Sequence, residues 1–131
     1  MIILDSTFLI ALLNTSDPSH NKAVGEMRKY EAQEKTFVVN EPVLGKVASV
    51  INSEVGPEKA AIFVDYALEN YKIHENEEDD IAAISNIMKN QKNKISYSDA
   101  SLIYLSKFLN CPIATFNGNL QAELKNYKNL K

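Results

Sequence analysis

Asp5 in "MIILDST", Asp99 in "SYSDAS" and Asn117 in "ATFNGN" are oxygen-bearing side chains that flank short apolar runs and lie far apart along a 131-residue chain. Brought together, such oxygens hold Mg²⁺ or Mn²⁺, hard cations that retain water and polarise phosphate oxygens. Hydrolysis of a phosphodiester suits that set. Asp99 also has a plain structural use, because aspartate is a common helix cap. Asp5 is harder to explain that way, since an acid directly after a buried strand needs a partner to offset its desolvation.

The other reactive residue types point elsewhere. His20 and His74 lack a second His, Cys or acid at a metal-like helical spacing and read as surface or half-buried residues. Cys111, just before Pro112 and an apolar run, reads as a small core residue with no base placed beside it. The acids of "NEEDDIAAISNIMKN" fall in the first turn of a helix and a lysine falls near its end, as the helix dipole favours. Lys89, Lys92 and Lys94, and Lys125, Lys128 and Lys131, form two clusters that read as solvated faces. Tyr97, two residues before Asp99, is placed to touch a substrate.

The elements that must position these residues follow from periodicity. "MIILD" reads as a buried parallel strand, followed by a helix over "STFLIALLN" and a second over "DPSHNKAVGEMRKYEAQE", with Asp17 as N-cap and Pro18 at the first helical position. "TFVVN" is a second strand, after which Pro42 opens a helix over "PVLGKVASVI" and Gly56-Pro57 starts another. "YKIHE" is a third strand. Ser98 and Asp99 open the helix "DASLIYLSKFLN", "CPIATFN" is a fourth strand, and the closing "YKNLK" is a last strand or a frayed tail. Alternation of this kind predicts an α/β layer fold with a mostly parallel sheet, whose ligand sites lie at the carboxyl ends of the strands.

Composition sets the outer bounds. At 131 residues and 45% apolar content the expectation is a single domain spanning residues 1–131. A net charge of −3 argues against indiscriminate nucleic-acid binding through a broad basic surface. The apolar runs are too short to cross a bilayer, the N-terminus lacks a basic signal-peptide region, and one cysteine excludes an internal disulfide. A cytoplasmic protein with no membrane partner is expected.

Taken together, "MIILDSTFLIALL", "NEPVLGKVASVI" and "ISYSDASLIYLSKFLNCPIATFNGNL" resemble a PIN domain over essentially the whole chain. They are most similar to the small VapC-type ribonuclease toxins of type II toxin–antitoxin pairs. The ordered set carries the resemblance; no single motif does. It implies a three-layer α/β/α fold with a central, mostly parallel sheet of four to five strands. It also implies a homodimeric endoribonuclease that uses Mg²⁺ or Mn²⁺ against RNA and is held by a cognate antitoxin protein. Carried over by position, Asp5 matches the first acid and Asp99 the third, both as metal ligands. Thr7 and Thr115 match accessory positions, with the Thr7 hydroxyl expected to bond to Asp5.

Two positions depart from the pattern. The second acid, a glutamate in "V-L-x-E-V", is Lys46 here, and the fourth, commonly aspartate after "T-F", is Asn117. Two aspartates, one lysine and one amide leave a single net negative charge where the family has four. Asn117 weakens a cation site, because an amide oxygen still ligates. Lys46 is the more serious change, because an ammonium has no lone pair. At about 5 Å it opposes a dication by several kcal/mol at an effective dielectric near 20. Weak Mg²⁺ or Mn²⁺ binding is therefore expected. If Lys46 faces the pocket, its ammonium pairs with Asp5 and Asp99 in the metal's place. Glu41, at the start of the same helix, is a rescue ligand turned by roughly 140° to another face and reads better as a dipole-favoured first-turn residue. Two functions follow from the resemblance: a metal-dependent endoribonuclease with impaired activity, or an inactive PIN domain that binds antitoxin or RNA.

Overall fold

The computed structural model describes residues 1–128. Four strands and seven helices alternate among them: β1 (Ile2–Leu4), α1 (Ser6–Leu13), α2 (His20–Ala32), β2 (Phe37–Asn40), α3 (Glu41–Glu54), α4 (Pro57–Asn70), β3 (Lys72–His74), α5 (Glu78–Lys89), α6 (Tyr97–Leu109), β4 (Ile113–Ala114) and α7 (Gly118–Lys128). The strands form one parallel sheet in the order β3-β2-β1-β4, with Ile3 opposite Val38 on one side and Ile113 on the other. Helices cover the sheet, giving a three-layer α/β/α arrangement. Ile2, Ile3, Leu4, Val38 and Val39 are all buried, which is why the central strands read as apolar runs instead of alternating.

Phe8 and Leu9 of α1, Val43 and Val47 of α3, Ile84 of α5, and Leu102, Ile103 and Leu105 of α6 fill the core against those strands. Fully burying one such side chain contributes roughly 1.5–3 kcal/mol. α3 packs on α4, α5 on α6 and α1 on α2. Gly56 caps α4 at φ 133°, a left-handed backbone that any side chain would strain.

Local electrostatics moved several element boundaries. α2 starts at His20 and not at Pro18, because the Asp17 carboxylate accepts from the Ser19 N–H at 2.8 Å and holds Asp17 and Pro18 in a turn. α6 starts at Tyr97, with Ser96 as the cap in place of Ser98. α3 takes in Glu41, because Asn40 is the cap and accepts from the Val43 N–H at 3.1 Å. The sheet has four strands among the described residues. Of "YKNLK", Tyr127 and Lys128 end α7 and the last three residues lie outside the described part. No helix among the described residues is long and apolar enough to cross a membrane.

Candidate active site

The sheet order dictates where a site forms. The chain steps outward from β1 to β2 and β3, then returns to the other side of β1 as β4, so the connections diverge at the carboxyl ends of β1 and β4. Asp5 follows β1 and Thr115 follows β4, and the two meet at that point.

Asp5 caps α1 with an extended backbone and is 1% exposed. Its Oδ1 accepts from the Ser6 N–H at 2.6 Å and the Ser6 hydroxyl at 3.3 Å. Its Oδ2 accepts from the Thr7 hydroxyl at 2.8 Å and the Thr115 hydroxyl at 2.6 Å. The hydroxyls are themselves fixed. Thr7 Oγ1 accepts from the Phe116 N–H at 2.9 Å, and Thr115 Oγ1 accepts from the Asn117 N–H at 3.0 Å. The "D-S-T" and "A-T-F-N" segments thus build one network across two parallel strands.

Asp99 is the third residue of α6 and is 6% exposed. Its Oδ2 accepts from the Ser96 N–H at 3.2 Å, while the Ser96 hydroxyl accepts from the Asp99 N–H at 3.1 Å, a reciprocal capping box. The capping role and the site position therefore coincide: the box fixes the carboxylate next to Asn117. The Asn117 amide donates to both Asp99 oxygens, at 3.4 and 3.3 Å. Its Oδ1 faces the other way and accepts from the Asn119 N–H at 3.0 Å and the Leu120 N–H at 3.2 Å, capping α7.

A divalent cation needs free lone pairs. Asp5 receives four hydrogen bonds, and Asn117 turns its donor end toward Asp99 and its acceptor end toward α7. Among the described residues, no three His, Cys, Asp or Glu side chains are grouped so as to hold a metal. This donor set does not fit a resident Mg²⁺ or Mn²⁺.

Lys46 does not occupy the metal's place. Among the described residues the one ion pair within 4.0 Å joins His74 to Asp80, so the expected pairing of Lys46 with Asp5 and Asp99 does not form. Lys46 is exposed on the second turn of α3, where its stem carries the ammonium into solvent. With Glu41, Ser49, Asn76 and Tyr97 it lines an open cleft of about 440 Å³ between α3, the exit of β3 and the first turn of α6. Glu41, the first residue of α3, faces this cleft as well.

Some structural residues escaped the sequence reading. Asn40 is fully buried and donates to the Ser101 hydroxyl at 2.8 Å, tying the start of α3 to α6. An asparagine just before Glu-Pro was a legible cap signal. Glu123 of α7 is 0% exposed and accepts from the Lys92 N–H at 3.1 Å and the Asn93 N–H at 2.7 Å. Burial pushes its carboxyl up, but the bonds from Asn93 and Lys92 outweigh that and hold it below the usual range. Nothing in the spacing marked it. The Tyr104 hydroxyl donates to Asp80, which lowers the Asp80 carboxyl and pushes the phenol up to about 12. His20 Nδ1 lies 2.8 Å from the Ala11 carbonyl oxygen, and Cys111 is half-buried.

The PIN domain family model matches residues 2–125, and the chain belongs to that family. No curated protein matches it. Among solved structures it is similar to the Mycobacterium tuberculosis VapC20, a sarcin–ricin loop cleaving toxin, with a TM-score of 0.80, 18% identity and coverage of 93% of this chain and 94% of that one. It is also similar to VapBC2 from Rickettsia felis bound to a DNA fragment from their promoter, with a TM-score of 0.68, 15% identity and coverage of 98% and 92%. FitAcB from Neisseria gonorrhoeae gives a TM-score of 0.69 at 14% identity, covering 95% and 94%. At these identities the likeness is one of fold.

Proposed function

We propose that this chain is a VapC-type PIN domain that engages RNA and a cognate antitoxin protein, with its metal-dependent endoribonuclease activity impaired. The orientation of Asn117 carries the reading: it donates to Asp99, and its only acceptor oxygen is held by α7. Were a divalent ion bound, Asp5 and Asp99 would be the acids to hold it, Thr7 and Thr115 would orient Asp5, and the ion would supply water activation. Here the retained hydroxyl network keeps Asp5 in place, while positions 46 and 117 supply no carboxylate. A homodimer and a cytoplasmic location belong to the same reading.

The test restores the missing acids. Lys46→Glu with Asn117→Asp adds three negative charges, and Mn²⁺ affinity measured by calorimetry should rise by on the order of a hundredfold or more. RNA cleavage should rise with it and vanish again when Asp5→Ala is added. Robust Mn²⁺-dependent cleavage by the unaltered protein, abolished by Asp5→Ala alone, would overturn the claim of impairment.

A further inference from the structure

The cleft lined by Lys46 and Tyr97 contains an unused hydrogen-bonding group. Both amide atoms of Asn76 are shielded from solvent and have no partner, although Asn76 lines the cleft. Buried polar atoms without partners are rare in folded proteins, since each costs about the desolvation of the group. His74 Nε2 and Ser98 Oγ are also shielded and lack a hydrogen bond, and both lie on the segments bordering the cleft, the exit of β3 and the first turn of α6. Of these residues Asn76 lines the cleft itself, and His74 Nε2 lies 3.8 Å from the Asp80 carboxylate.

The rest of the lining has a definite chemical character. Tyr97 is 39% exposed and presents a ring at the rim. Lys46 and Ser49 lie on successive turns of α3, supplying a cation and a hydroxyl. Gly45, also in the lining, is exposed and has open space where a Cβ would be. A cleft of about 440 Å³ falls within the size range of small-ligand sites. An amide, an aromatic face, a hydroxyl and a cation around one opening match a base edge, a base face, a sugar and a phosphate.

We infer that this cleft is a nucleotide-binding subsite in which Tyr97 stacks on a base, the Asn76 amide rotates to pair with the base edge, and Lys46 meets the phosphate. Glu41, on the same rim, repels the phosphate and confines it to the Lys46 side. The subsite deepens the RNA reading above and rests on it. It also gives position 46 a use: a lysine in place of a glutamate contacts the strand directly. No metal takes part.

The experiment uses the full chain with EDTA present. Fluorescence anisotropy follows a short unstructured single-stranded RNA, and nuclear magnetic resonance titration follows free ribonucleoside monophosphates. Asn76→Ala and Tyr97→Ala should each weaken RNA binding by roughly tenfold or more, while Tyr97→Phe retains it because the ring still stacks. Lys46→Ala should flatten the salt dependence by about one phosphate contact. Gly45→Leu, which puts a side chain into the lining of the cleft on a helix that favours leucine over glycine, should obstruct the cleft without disturbing the fold. Monophosphates that bind with the same dependence on Asn76 and Tyr97 make free nucleotide a ligand in its own right; binding of RNA alone with that dependence makes the strand the ligand. RNA binding untouched by all four losses overturns the subsite and leaves the RNA reading standing. Absence of any RNA binding by the unaltered protein overturns both.

Discussion

Asp5 and Glu123 are both buried carboxylates with every oxygen engaged, yet their donors differ in kind. Glu123 accepts mainly from the backbone of Lys92 and Asn93, whose N–H groups have one fixed direction. Asp5 accepts chiefly from the hydroxyls of Ser6, Thr7 and Thr115, together with one backbone N–H. A hydroxyl rotates and exchanges donating for accepting, whereas a backbone N–H does not. Two of the three hydroxyls at Asp5 are in turn held by the Phe116 and Asn117 N–H groups, so its clamp runs through side chains to the backbone, whereas that of Glu123 rests mainly on backbone N–H groups directly. Burial and hydrogen bonding alone therefore do not distinguish the two carboxylates; the kind of donor and the place in the sheet do.

Substitutions can break that contrast at either end. Glu123→Ala leaves two backbone N–H groups buried without an acceptor and should cost about 3 kcal/mol in urea unfolding, the largest effect here. The same residue sets an acid limit. Its carboxyl is held below the ordinary value, so its stabilisation is complete above the unfolded value near 4.3 and is lost as the pH falls through the folded one. Thermal melts between pH 6 and pH 3 should fall less steeply for Glu123→Gln than for the unaltered chain, although that variant starts lower.

Thr115→Val removes one hydroxyl from Asp5 and the acceptor of the Asn117 N–H, and should cost about 1–2 kcal/mol. A loss as large as that of Glu123→Ala would mean that the Asp5 network is as rigid as the backbone clamp. At the small end, Lys46→Ala should change stability by less than about 0.5 kcal/mol, as expected for an exposed residue without an ion pair. A clear destabilisation would place its ammonium in the fold's own electrostatics.

Much of the architecture was legible in the sequence because the physics there is local. "MIIL" and "FVV" lack polar alternation, so they had to be buried parallel strands, and Gly56-Pro57 had to start a helix. Asp5, Thr7 and Thr115 were legible as a set because each follows a strand that parallel pairing brings to one edge. The position of Lys46 was not. Its place in the pattern suggested the pocket, but helix geometry and a long solvent-seeking stem decide where an ammonium lies, and neither is encoded in the motif. The orientation of Asn117 was equally hidden, since the competition between α7 and Asp99 for one amide is settled only once both are in place. Glu123 and Asn76 gave no signal, because their partners or lack of them are set by loops far along the chain.

The pairing of Asp5 with Thr115 spans 110 residues. β1 lies between β2 and β4, so its second hydrogen-bonding edge stays open until the last strand arrives. Contacts of such sequence separation form late and slowly, after the loop-closure entropy has been met. A chain cut before β4 would lack the Thr115 hydroxyl and the Phe116 and Asn117 N–H groups that complete the Asp5 network. The Asp5 network is therefore a long-range check on the fold, complete only where β1 and β4 have paired.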